Sequence, residues 1–173
     1  LFIVVCLITL ELPITSVCQL EVGVEESTVK GYLERGKRYI EMELYDQAIT
    51  EFHQILQINL NHSETYYCIG NAYRYQNMID KAVDAYQHVL ALKASKKIHG
   101  LTYLHLGTLY NEQGKFSDAE KYCKIAVEML PKVAKAYPNL GDIYLQRRNF
   151  NLAISCYQKA IGLDPDAVEP YTG

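Results

Sequence analysis

The chain has 173 residues, 49% of them apolar and 21% charged, with a formal net charge of -3 and a pI near 6.0. That composition supports a sizeable buried core, and it excludes a disordered chain and a basic nucleic-acid-binding surface. The odd feature is fifteen tyrosines with no tryptophan.

Residues 1–10, LFIVVCLITL, are uninterrupted and apolar, followed by Glu11, Pro13 and a run of small or polar residues. As a helix this run covers about 15 Å of a hydrocarbon layer roughly 30 Å thick, so it does not span by itself. Ser16 and Cys18 precede Gln19 with the small-x-small spacing of a cleavage site. Residues 1–18 are therefore expected to be an apolar leader, a signal peptide or membrane anchor whose own beginning precedes Leu1. Residues 19–28 are expected to be a linker. The protein is then exported or membrane-anchored; the alternative is a cytoplasmic protein whose apolar N-terminal segment packs on the domain.

From residue 29 onward one interval pattern recurs. Gly36, Gly70, Gly107 and Gly141 share their spacings with Ala48, Ala82, Ala119 and Ala153. Tyr32, Tyr66, Tyr103 and Tyr137 lie one helical turn before each glycine, and Tyr39, Tyr73, Tyr110 and Tyr144 follow it. Such a period marks a stack of supersecondary units. In the third unit Tyr103, Leu106, Gly107 and Tyr110 fall on one face of a first helix, and Ala119, Cys123 and Ala126 fall on one face of a second. Each glycine lets the two helices approach closely.

The segment GTLYNEQGKF, 107–116, superficially suggests a phosphate loop. Six residues separate its glycines and Phe116 follows Lys115, whereas phosphate cradling needs four residues and then a Ser or Thr. Gly107 is instead expected to be a packing glycine and Gly114 a left-handed helix cap. Asp46, Asp80, Ser117 and Asn151 stand two residues before the periodic alanines and are expected to cap the second helices, with Ser117 and Glu120 forming a capping box. The additional residues near Lys97 to His99 are expected to lengthen a second helix or a loop. Pro138 is expected to delay the start of the fourth unit's first helix.

With these residues in place the chain resembles the tetratricopeptide repeat (TPR) family. In the fourth unit Tyr137, Leu140, Gly141, Tyr144, Phe150, Ala153, Tyr157, Ala160 and Pro165 match the family pattern, and the third unit is similar. The resemblance implies an all-α fold, an α-solenoid of antiparallel helix pairs wound as a right-handed superhelix. The four units are set at 29–62, 63–96, 100–133 and 134–167, within a repeat region spanning 29–167. Residues 168–173 are expected to open a truncated fifth unit, so that the chain is a fragment of a longer array or protein.

The resemblance also implies function in a concave groove lined by the first helices. By helical periodicity the groove residues are Tyr67, Asn71, Arg74, Tyr75, Leu104, His105, Thr108, Asn111, Lys135, Asn139 and Asp142. Asn71 and Asn139 are expected to bond a partner's backbone, and Tyr67, Arg74 and Tyr75 to anchor it. Cys68 is expected to be an accessible groove thiol. The cations of the carboxylate clamp used by chaperone-binding members are missing, and of the asparagine ladder used by glycosyltransferase arms only Asn139 matches, against Glu34, Cys68 and His105.

No histidine or cysteine spacing suggests catalysis, a cofactor or a metal; Cys123 and Cys156 are expected to be small hydrophobes. The leading expectation is a non-catalytic scaffold or adaptor that binds a protein or peptide partner, with no nucleic acid and a tether to the membrane through residues 1–18. The alternatives are a substrate-recognition or regulatory arm of a larger enzyme and a structural spacer for oligomeric assembly.

Overall fold

The computed structural model describes residues 14–165. Among these residues there are eight helices and no strand. Residues 1–13 of the expected leader and the expected fifth-unit residues 168–173 lie outside the described residues. The chain divides into two compact units, residues 1–60 and 61–173.

In the first unit α1 (Ile14–Glu41) pairs with α2 (Tyr45–Ile58). Residues 19–28, expected as a linker, are helical and continuous with the repeat's first helix. The pair closes on Ala48, Ile49, Phe52 and Ile55, all buried. Gly36 lies against the Phe52 ring, where an added Cβ would come within 2.3 Å.

The second unit holds three further pairs: α3 (Ser63–Tyr75) with α4 (Ile79–Ala91), α5 (Lys96–Glu112) with α6 (Phe116–Met129), and α7 (Ala136–Gln146) with α8 (Phe150–Leu163). The periodic glycines again sit at the contacts. An added Cβ would meet the Tyr86 ring at 2.5 Å from Gly70, Cys123 Sγ at 2.4 Å from Gly107, and the Tyr157 ring at 2.8 Å from Gly141. Successive pairs share cores: Ala82 and Tyr86 pack with Leu106 and Leu109, and Ala119 and Cys123 with Leu140, Ile143 and Tyr144.

The turns within pairs follow one hydrogen-bond scheme. Leu44, Met78, Lys115 and Asn149 donate their N–H groups to the carbonyls of Tyr39, Tyr73, Tyr110 and Tyr144, at 2.8–2.9 Å. The residue before each donor has positive φ: Glu43 at 60°, Asn77 at 58°, Gly114 at 73° and Arg148 at 58°. This is the left-handed helix ending of a Schellman motif. Gly114 therefore caps as expected, but three of the four sites use a residue with a side chain.

The second-helix caps differ from expectation. The cap positions are Leu44, Met78, Lys115 and Asn149, none with a side-chain cap bond. Asp46, Asp80, Ser117 and Asn151 lie two residues farther in, because the helix starts directly after the left-handed residue. The two aspartates there complement the helix dipole instead. Ser117 Oγ accepts from Arg147 Nη2 at 3.1 Å, and Glu120 pairs with Lys124 and Arg147, so no capping box forms.

The additional residues between the second and third units extend the first helix α5 rather than a second helix. Ser95 Oγ accepts the Ile98 N–H at 3.2 Å and starts α5 early, while His99 Nε2 lies 3.1 Å from the Leu92 carbonyl at the end of α4. Helix α7 starts at Ala136, two residues later in its repeat than α3, consistent with Pro138 in its first turn.

Candidate functional site

The first helices of the second unit, α3, α5 and α7, are bonded to one another along one face. The Tyr67 hydroxyl on α3 lies 3.2 Å from His105 Nε2 on α5, and Asn139 Nδ2 on α7 donates to Thr108 Oγ1 on α5 at 2.6 Å. Thr108 Oγ1 donates in turn to the Leu104 carbonyl at 3.1 Å. Residues far apart in sequence thus form one half-buried polar wall.

The second helices hold this wall from beneath. The Tyr86 hydroxyl on α4 donates to Asn71 Oδ1 on α3 at 2.7 Å, and the Tyr157 hydroxyl on α8 donates to Asp142 Oδ1 on α7 at 2.5 Å. Both tyrosines are the residues against which the packing glycines sit, so one ring supports both the helix contact and the wall. In the middle pair Cys123 takes that place, and Thr108 is held from α7 instead.

Around Tyr86 the wall is aromatic and cationic. Tyr86 and His105 stack with centroids 5.6 Å apart, and Tyr67 lies 5.8 Å from the His105 ring. The Arg74 guanidinium lies 4.5 Å from the centroid of Tyr75, which is 52% exposed. Burial and the Arg74 charge hold the His105 imidazole neutral, its pKa pushed down to about 4. Burial raises the Tyr67 and Tyr86 phenols, so both stay protonated hydrogen-bonding groups.

Of the sequence-derived groove residues, Tyr67, Asn71, Arg74, Tyr75, His105, Thr108, Asn111, Asn139 and Asp142 are partly or fully exposed, and Lys135 is exposed just before α7. Two expectations are corrected. Leu104 is 5% exposed and packs with Ala126 and Ala136, because α6 and α7 close over its side of α5. Cys68 is also 5% exposed rather than accessible. It lies on the flank of the groove stripe, and α5 runs alongside α3.

Sequence reasoning missed the two tyrosines beneath the wall. The signal was available: Tyr86 and Tyr157 hold the aromatic position of the repeat, and each faces a residue one helix away that accepts a hydrogen bond. It also missed an open cavity of about 550 Å³ between α6, α7 and α8, lined by Val127, Tyr137, Leu140, Tyr144, Leu152 and Cys156 among others. Helix α8 also exposes Phe150, Ile154 and Ile161. Cys123 is fully buried, its thiol pushed up to about 12 by burial, as befits a small hydrophobe. Among the described residues no group of His, Cys, Asp and Glu is arranged to hold a metal ion. Nor is any described helix long and apolar enough to cross a membrane.

Family models for the tetratricopeptide repeat match residues 63–96, 100–130 and 134–167. The chain is 30% identical over 119 residues to the probable UDP-N-acetylglucosamine-peptide N-acetylglucosaminyltransferase SPINDLY of Hordeum vulgare, covering 66% of this chain and 12% of that protein. It is 31% identical over 113 residues to the BBSome complex member BBS4 of Bos taurus, covering 65% of this chain and 20% of that protein. The chain thus spans a fifth or less of the length of these curated relatives. Among solved structures, MamA residues 41 to end from Desulfovibrio magneticus RS-1 match with a TM-score of 0.69 at 23% identity, over 80% of this chain and 76% of that one. That likeness concerns the fold, an all-α solenoid of helix pairs.

Proposed function

This chain belongs to the tetratricopeptide repeat family, and from that premise we propose that it is a non-catalytic scaffold whose α3, α5 and α7 face binds an extended segment of a partner protein. The observation that carries the reading is the polar wall. Its side chains are tied to one another and to the second helices, so the face is preorganised and adds little ordering entropy of its own to the cost of binding. Asn71 accepts from Tyr86 through its oxygen, and Asn139 donates to Thr108 through its nitrogen. The Asn71 N–H not directed at Tyr67 then serves a partner carbonyl and the Asn139 oxygen a partner N–H, the pairing that an extended backbone offers. Attachment to a membrane or export through residues 1–18 is part of the same proposal and rests on the apolar run alone.

A second reading, a recognition arm of a larger enzyme, draws on the match to a probable glycosyltransferase. The buried Cys68 and the tied His105 leave this face without the asparagine ladder expected of such an arm.

The test is selection of random linear peptides displayed on phage against the full chain. Selected peptides are expected to lose binding to an Asn71→Ala/Asn139→Ala variant that keeps the wild-type circular dichroism spectrum. Peptides that bind the folded variant equally well, or a library that yields none, would overturn the proposal.

A further inference from the structure

Arg74, Asn111 and Leu145 occupy the same repeat position on three neighbouring first helices, each the penultimate residue of its helix. The first two each carry a buried polar atom with no hydrogen-bond partner: Arg74 Nε, a donor, and Asn111 Oδ1, an acceptor. Leu145 is 49% exposed. Among the described residues no Asp or Glu pairs with Arg74. The carbonyl end of α3 offsets part of its charge, and the neighbouring Tyr67, Tyr86 and His105 are neutral.

A half-buried guanidinium without a counter-ion and an amide oxygen without a donor are both unfavourable in isolation. Their common remedy is a ligand with an anion followed by a backbone N–H. The Arg74 guanidinium lies over the Tyr75 ring and faces the Tyr86 hydroxyl, which is neutral, so the charge is left to a carboxylate, whose two oxygens match the guanidinium fork. Packed helices lie about 8–10 Å apart and an extended chain advances about 3.3 Å per residue. One helix spacing therefore corresponds to about three residues of ligand.

Resting on the groove reading above, we propose that this row recognises an acidic-then-apolar motif in the partner segment: an Asp or Glu that pairs with Arg74, a backbone N–H donated to Asn111 Oδ1, and, about six residues from the acid, an apolar side chain that covers Leu145. The bound carboxylate supplies the missing counter-ion, and the cost of leaving Arg74 half-buried becomes specificity for acidic ligands.

The experiment sequences the displayed peptides selected by the wild-type chain and by Arg74→Glu and Leu145→Ser variants, each first checked by circular dichroism. The wild-type pool is expected to carry a dominant Asp or Glu with an apolar position about six residues away. Its peptides should bind Arg74→Gln at least about tenfold more weakly. Arg74→Glu should select Lys or Arg where the wild type selects an acid, and Leu145→Ser should lose the apolar preference while keeping the acidic one. A wild-type pool without an acidic position, or an acidic preference that survives Arg74→Glu, overturns the inference. The groove reading then still stands if those peptides depend on Asn71 and Asn139, and both fall if they do not.

Discussion

The pairs α3–α4 and α5–α6 share one register and fill one position differently. In the first, Gly70 faces the ring of Tyr86; in the second, Gly107 faces the sulfur of Cys123. Both solutions bury the residue completely. Only tyrosine carries a hydroxyl through the helix contact to the far side, where it bonds Asn71. The same arrangement recurs with Tyr157 and Asp142. A core position of the repeat therefore also sets the chemistry of the exposed face, and cysteine leaves the middle of that face to be organised by α7 through Asn139.

The comparison breaks most severely if the first pair is given the second pair's residue. Tyr86→Cys removes a fully buried ring and is expected to destabilise the protein by about 3–5 kcal/mol, measured by urea denaturation. Tyr86→Phe keeps the ring and loses the hydroxyl, with its bond to Asn71 and its contact with Arg74. Its expected cost is about 1 kcal/mol, with peptide binding weakened because Asn71 is no longer held. Equal destabilisation by the two variants would show that the hydroxyl, not the ring, supports this pair.

A somewhat smaller effect distinguishes the pairs by pH. His105 stacks on Tyr86 and is held neutral with a pKa near 4, below its ordinary value of 6.5. The unfolded chain therefore binds a proton that the folded one refuses between those values. Stability from this group is complete above pH 6.5 and falls as pH drops toward 4, by on the order of 3 kcal/mol. His105→Gln should flatten this part of the stability profile. An unchanged slope in the variant would place the titration elsewhere.

The repeat register was legible in sequence because packing positions recur with the unit. Gly36, Gly70, Gly107 and Gly141 all meet a second-helix side chain as the spacing implies. The caps were misplaced by two residues because Asp46 and Asp80 suit the first turn of a helix as well as its cap, and only the backbone separates those sites. The bonds of the wall were hidden for a different reason. Asn139 and Thr108 are 31 residues apart, and their contact depends on how α5 and α7 lie together. Exposure at the margins was hidden in the same way: a helical wheel places Leu104 and Cys68 on or beside the groove, and neighbouring helices bury them.

The smallest effect concerns the turns, where the two pairs again differ. Asn77 has φ of 58° and Gly114 of 73°, each donating its N–H to a first-helix carbonyl, Arg74 or Asn111. Asparagine tolerates this conformation better than most residues with a side chain, and glycine adopts it freely. Space is not limiting at Gly114, since an added Cβ would meet nothing within 4 Å. Gly114→Ala therefore tests backbone strain alone and should lower stability by about 1 kcal/mol. Asn77→Gly relieves the smaller strain of asparagine but frees the unfolded chain, so the two terms nearly cancel. Arg148, at φ of 58°, has no such tolerance, and Arg148→Gly should raise stability by a few tenths of a kcal/mol up to about 1 kcal/mol. A calorimetric melting series ordering the variants Gly114→Ala, Asn77→Gly and Arg148→Gly from least to most stable would show that the turns differ by backbone strain; any other order would assign the difference to side-chain contacts.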